Sequence, residues 1–133
     1  MENKIKQAGK NEGYILLEKT RALYSLLQPF LLLFPRDAKI VLRVKIEESV
    51  IDGLKLLITK NYKETNKERR KLILDYLGEI NVVRILIKQC LVLKYISYSA
   101  YEKISPLMDE LLSMATAQYK NLGGENEKLE GHK

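Results

Sequence analysis

The chain has 133 residues, 46% of them hydrophobic, a formal net charge of +6 and a sequence pI of about 9.3. That is enough chain for one hydrophobic core and too little for two ordinary domains, and the basic balance favours anionic partners. One cysteine, Cys90, excludes an internal disulfide and fits a reducing compartment, and together with one histidine, His132 in the tail, it excludes a His/Cys metal site.

Residues 1–12 are polar and are expected to form a flexible N-terminus. Leu16, Leu23, Leu27 and Phe30 share one face of a helix predicted from about Tyr14 to the Phe34 region. Pro29 falls inside it, removes a backbone hydrogen bond and predicts a kink near Ser25. Phe34-Pro35-Arg36-Asp37 forms the first loop. A second helix is predicted from about Arg36 to Lys60, with Ile40, Val44, Ile51, Leu54 and Ile58 as its apolar stripe, widened by Leu42, Ile46, Val50 and Leu57. Gly53 inside this helix costs about 1 kcal/mol against Ala, which points to close approach of a neighbouring helix.

After a loop at 61–64, two capping boxes open the remaining helices. Thr65-Asn66-Lys67-Glu68 and Ser99-Ala100-Tyr101-Glu102 each pair an N-cap hydroxyl with a carboxylate three residues on. The third helix is predicted from Asn66 to Tyr95 and the fourth from Ala100 to Leu122, with Ile96-Ser97-Tyr98 between them. Pro106 predicts a mild kink, Gly123-Gly124 a left-handed C-cap, and 123–133 a disordered tail. Long helices joined by short loops predict an all-α fold, an up-down-up-down antiparallel four-helix bundle over 13–122.

On a helical wheel, Leu72, Ile73, Tyr76, Leu77, Ile80, Val83, Ile87, Cys90 and Leu91 form the core arc of the third helix. Val82, Leu86 and Leu93 form a second apolar strip. A helix that is apolar on two sides is buried on two sides, so this strip is the expected oligomer interface. Arg70, Asn81, Arg84 and Lys88 line one edge of the core arc. Arg43 and Glu47 lie within the apolar arc of the second helix, and Glu110 near that of the fourth. Such charges either pair at helix or subunit seams, the reading favoured for Arg84, or face phosphate, the reading favoured for Lys88.

Basic residues concentrate at 60–71, where they oppose the helix dipole, and recur at Arg36, Lys39 and Arg43. The candidate nucleic-acid ligands are Arg36, Lys39, Lys63, Lys67, Arg69, Arg70, Arg84 and Lys88. Tyr95, Tyr98 and Tyr101 flank the third loop and either pack the bundle end or stack on bases.

No catalytic constellation is present. The chain has no Gly-rich phosphate loop, no nucleophile elbow and no H-E-x-x-H. Glu47, Glu48 and Asp52 lack the Glu-x-x-His partners a diiron bundle requires. The expectation is a protein without catalytic, cofactor or metal sites. The most apolar run, Phe30 to Phe34, is far shorter than the ~20 residues of a membrane span, and the first residues lack a signal-peptide core. A cytoplasmic protein with no membrane partner is expected.

Several short matches, in order, carry a family resemblance. They are Pro29 followed by Pro35-Arg36, Leu74-Asp75-Tyr76-Leu77, Val83-Arg84-Ile85-Leu86-Ile87-Lys88, Ile96 to Glu102, and Leu111-Leu112-Ser113-Met114. Over roughly Tyr14 to Tyr119 the chain resembles the accessory variability determinant proteins of diversity-generating retroelements. These belong to a wider group of four-helix-bundle proteins that includes those encoded in ribosomal RNA intervening sequences. The resemblance implies a homopentamer that binds a reverse transcriptase and RNA and/or DNA during mutagenic copying of template RNA. It also places Arg84 and Lys88 at the two basic positions of a helix-3 Leu-Arg-x-x-x-Arg pattern, the second with Lys in place of Arg. The family often has glycines and a tryptophan near the end of the fourth helix, where this chain has Ala115-Thr116-Ala117-Gln118-Tyr119. Two functional readings follow: a nucleic-acid-binding polymerase accessory, or a structural or protein-interaction bundle of the intervening-sequence type with no nucleic-acid role.

Overall fold

The computed structural model describes residues 2–131, with side chains from 13 to 123; Met1, His132 and Lys133 lie outside the described residues. The fold is all-helical, with four helices and no strand among the described residues. Helix α1 is Glu2–Leu31. Helix α2 is one continuous path made of Arg36–Ala38, a π-helical turn at Lys39–Arg43, and Val44–Lys60. Helix α3 is Asn66–Val92 and α4 is Tyr98–Gly131. The pairs α2–α3 and α3–α4 pack most extensively, and α1 touches both α2 and α4.

Local chemistry sets the helix starts. Thr65 is extended, and its Oγ1 accepts from the Glu68 N–H at 3.2 Å, as the first capping box predicts. The second box is displaced. Ser97, not Ser99, caps α4: its Oγ accepts from the Ala100 N–H at 3.1 Å and its carbonyl from the Tyr101 N–H at 3.0 Å. The displacement has a cause in the preceding turn, because α3 stops at Val92 rather than Tyr95. There Lys94 adopts φ 64°, the Tyr95 N–H bonds the Cys90 carbonyl at 2.8 Å, and the Lys94 N–H bonds that of Leu91 at 3.0 Å. This is a Schellman closure with lysine where glycine is usual. It brings the Tyr95 ring to 5.8 Å from that of Phe34 and buries Ile96.

The helix ends also differ from expectation. The backbone is helical from Glu2, ahead of Tyr14, and continues through Gly123-Gly124 to Gly131, so these glycines form no C-cap. Both extensions carry Glu and Lys, which favour helix, and a glycine inside a helix costs only about 1 kcal/mol.

The core holds Leu16, Leu23, Leu27, Ile46, Val50, Leu57, Ile73, Tyr76, Ile80, Ile87, Ile104, Met108 and Leu111 among its buried residues. Helix α2 reverses the sequence expectation. Of the predicted stripe, Ile40, Val44, Ile51 and Ile58 are exposed and Leu54 is half-buried; the core face is Ile46, Ser49, Val50, Gly53 and Leu57. The small residues decide this. A Cβ on Gly53 would lie 3.3 Å from the Tyr76 ring, so α3 closes onto the face with least bulk. The π turn serves the same face. Two α turns span about seven residues and a π turn adds roughly one more, which puts Ala38 and Ile46 on one side, both buried.

Relief of the left-handed lysine is testable. Lys94→Gly should raise unfolding stability in urea by about 0.5–1 kcal/mol, the left-handed cost of a Cβ less the added freedom of the unfolded chain. A loss of stability would mean the Lys94 side chain contributes more than its backbone strain removes.

Candidate nucleic-acid interface

Cross-helix contacts locate the basic residues. A Cβ at Gly13 would sit 3.4 Å from both Lys60 Nζ and Asn61 Oδ1. Lys60 Nζ donates to Gln118 Oε1 at 2.9 Å, and the Arg70 guanidinium lies 4.0 Å from the Tyr119 ring centroid, with Nε donating to the Tyr119 carbonyl at 3.4 Å. Residues 13, 60–70 and 118–119 therefore share one end of the molecule. The Phe34–Tyr95 contact gathers the first and third loops at the other end.

The predicted ligands thus divide. Lys63, Lys67, Arg69 and Arg70 lie at the end where α3 begins, and Arg36 and Lys39 at the end where it finishes. The 27 residues of α3, at 1.5 Å each, keep the two groups about 40 Å apart. Arg84 and Lys88 stand on α3, nearer the second end.

The side chains also differ in freedom. Arg70 is half-buried and ties α3 to α4, and Arg69 bonds Asn66 Oδ1 at 3.4 Å. Lys39 and Lys63 are half-buried, while Arg36, Lys67, Arg84 and Lys88 are exposed. None of these last six enters an ion pair among the described residues; the pairs there are Lys19–Glu110, Arg21–Glu18 and Arg43–Glu47, each at 2.6 Å. Glu110 pairs with Lys19 between α4 and α1, a seam charge of the kind the sequence pointed to, whereas Arg43 pairs with Glu47 within α2. Arg84 enters none of these pairs.

Electrostatics distinguishes the flanks of α3. A groove between α2 and α3 carries Asp52, Asp75 and Glu79 against a single lysine, Lys55. That rim repels phosphate. Arg84 and Lys88 fall on the opposite side of the α3 wheel from Asp75 and Glu79.

The expected interface strip is mixed: Val82 and Leu93 are exposed, and Leu86 is half-buried against the core. Tyr95 and Tyr101 are half-buried, so of the three loop tyrosines only Tyr98 presents most of its surface. Among the described residues, no three His, Cys, Asp or Glu side chains come together to hold a metal, and no helix is long and apolar enough to cross a membrane.

Sequence reasoning missed two side chains at this site. Lys60, counted with the basic loop, is buried and reaches α4. Tyr119, in the stretch that departs from the family pattern, supplies the ring under Arg70. Neither has a local signal, because each pairing spans more than forty residues of sequence. No protein family, curated protein or solved structure matches the chain.

Two predictions separate fold from surface. Arg70→Ala should cost about 1 kcal/mol of stability through the lost cation–π contact and packing, whereas Lys67→Ala should stay within about 0.5 kcal/mol; equal effects in urea titrations would remove Arg70 from the fold. Burial pushes the Cys90 thiol up to about 11 from an ordinary value of 9.0. The folded thiol therefore keeps its proton where the unfolded one loses it. Its stabilising contribution is complete below pH 9 and declines as pH rises towards 11. Denaturant midpoints should fall across that window, and less steeply in Cys90→Ala.

Proposed function

We propose that this protein is a non-catalytic, basic, homo-oligomeric nucleic-acid-binding subunit that serves a reverse transcriptase of the diversity-generating retroelement type during copying of template RNA. The observation that carries the proposal is the set of cationic side chains that the fold does not consume. Arg36, Lys39, Lys63, Lys67, Arg84 and Lys88 enter no ion pair among the described residues, on a chain of net charge +6. The order of sequence features along α1 to α4 supports the family reading. The contacts of residue 60 with 13 and 118, and of 34 with 95, support an up-down-up-down antiparallel arrangement of the bundle.

The mechanism is electrostatic. Cations on α3 and at both ends of the bundle replace counterions condensed on the phosphate backbone, and their release drives binding without base specificity. Two separated basic groups suit a bridging role, one end on the template and the other on a second segment or on the polymerase. Association of several copies multiplies the field with no special motif.

A second reading has its own observation. Exposed aliphatics along α2 and α3 (Ile40, Val44, Ile58, Leu74, Ile85, Val92) favour a protein-interaction bundle of the intervening-sequence type. One titration separates the two. Labelled structured RNA should bind tightly at about 50 mM salt and lose affinity roughly 10³-fold or more by 200 mM. Arg84→Glu with Lys88→Glu should weaken binding and flatten the salt slope by about two, without changing the fold by circular dichroism. Absence of RNA binding at the low salt would overturn the nucleic-acid reading and leave the interaction bundle.

A further inference from the structure

The exposed stripe of α2 has a period that a monomer does not need. Val44, Ile51 and Ile58 are seven residues apart on the α-helical stretch 44–60, and Leu54 falls three after Ile51. In heptad terms the first three occupy a positions and Leu54 a d position. Val44 is exposed by 45%, Ile51 by 37% and Ile58 by 47%, while Leu54 is half-buried. The face points away from the α3 contact made by Gly53. Glu47 would interrupt the seam, but Arg43 neutralises it at 2.6 Å within the same helix.

The flanking charges identify the occupant. Glu48 and Lys55 stand at successive e positions, both exposed and in no ion pair among the described residues. Seven residues apart on one helix, they lie about 10 Å from each other, too far to pair. In an antiparallel two-helix seam, e positions face e positions of the partner. A second α2 running in the opposite direction, crossing near Ile51 and Leu54, therefore sets Glu48 of each copy against Lys55 of the other. A surface that complements itself under a two-fold rotation is the mark of an isologous interface.

We infer that the α2 seam docks a second copy of this chain, antiparallel, with Ile51 at its centre and Glu48–Lys55 pairs at its flanks. The contact does not depend on nucleic-acid binding; being two-fold, it would join copies in pairs rather than form the five-fold ring that the family resemblance implies, and a wild-type monomer would overturn the homo-oligomeric part of the proposed function as well. It is distinct from the strip at Val82, Leu86 and Leu93, and it pairs chains by twos.

The test is the mass of the full chain by light scattering, with dissociation followed by dilution. Wild type should be a dimer or a higher even assembly. Ile51→Glu and, at a side chain 47% exposed, Ile58→Glu should each raise the dissociation constant at least ~100-fold while helicity is unchanged. Glu48→Lys and Lys55→Glu should each weaken association, and the double exchange should restore it, since it rebuilds the same pairs with reversed sign. Restoration also guards against a trivial folding defect. A wild-type monomer would overturn the seam, as would an assembly of five that Ile51→Glu leaves intact, or charge exchanges that do not compensate. RNA binding, measured separately, reports on the nucleic-acid reading and not on this contact.

Discussion

Tyr76 is the constraint on which the packing depends. It is fully buried on α3, its ring lies against Gly53 of α2, and its hydroxyl meets Thr20 Oγ1 of α1 at 2.6 Å. One side chain thus fixes the spacing of three helices. Thr20 Oγ1 also lies 2.7 Å from the Leu16 carbonyl, to which it donates, leaving the tyrosine hydroxyl as donor to Thr20 and each polar atom satisfied. Burial in this apolar setting pushes the Tyr76 phenol well above its ordinary range. The group stays neutral, and a neutral hydroxyl in a satisfied pair is what a core tolerates. The low bulk of Gly53 permits the approach, and that approach in turn selects which face of α2 becomes interior.

From this selection follows the division of labour on the surface. The basic residues that reach α4 are drawn into the fold: Lys60, at the end of α2, bonds Gln118, and Arg70 on α3 lies on Tyr119. Those farther out remain uncommitted. A charge-reversal experiment that treats all basic residues alike would mix the two classes. Arg70 and Lys60 report on the integrity of the α4 end, while Lys67, Arg84 and Lys88 report on the field the protein presents. The acidic groove at Asp52, Asp75 and Glu79 gives that field a direction, since one flank of α3 repels phosphate and the other does not.

Much of the architecture was legible in the sequence. Helix number, the loop at 61–64, the Thr65 cap, the core arc of α3 and the meaning of Gly53 all follow from local pattern. What was not legible depended on non-local choices. Helix α2 has aliphatics on two faces, and hydrophobicity alone favoured the bulkier one. Nothing within 36–60 reveals that Tyr76 will press on Gly53. The second capping box failed for a related reason. Ser97 and Ser99 are both competent caps, and the left-handed turn at Lys94, in a residue type that rarely takes it, decides between them. The candidate ligands were found individually, but their separation into two ends about 40 Å apart needed the helix pairing.

The same geometry links the exposed α2 face to function. Aliphatic surface at a seven-residue period is costly to leave in water, roughly 25 cal/mol for each Å². Close packing around Tyr76 turned this face outward, and the inner face gained tight interhelical contact in return. A helix that turns the face carrying Ser49 and Gly53 inward leaves the aliphatics of its other face available to a partner. That partner contact would also set how many copies of the uncommitted cations are held together. On the proposed nucleic-acid reading, affinity that depends on counterion release grows with the number of phosphates engaged at once, so the choice of face made at Gly53 would reach the field presented to a phosphate backbone.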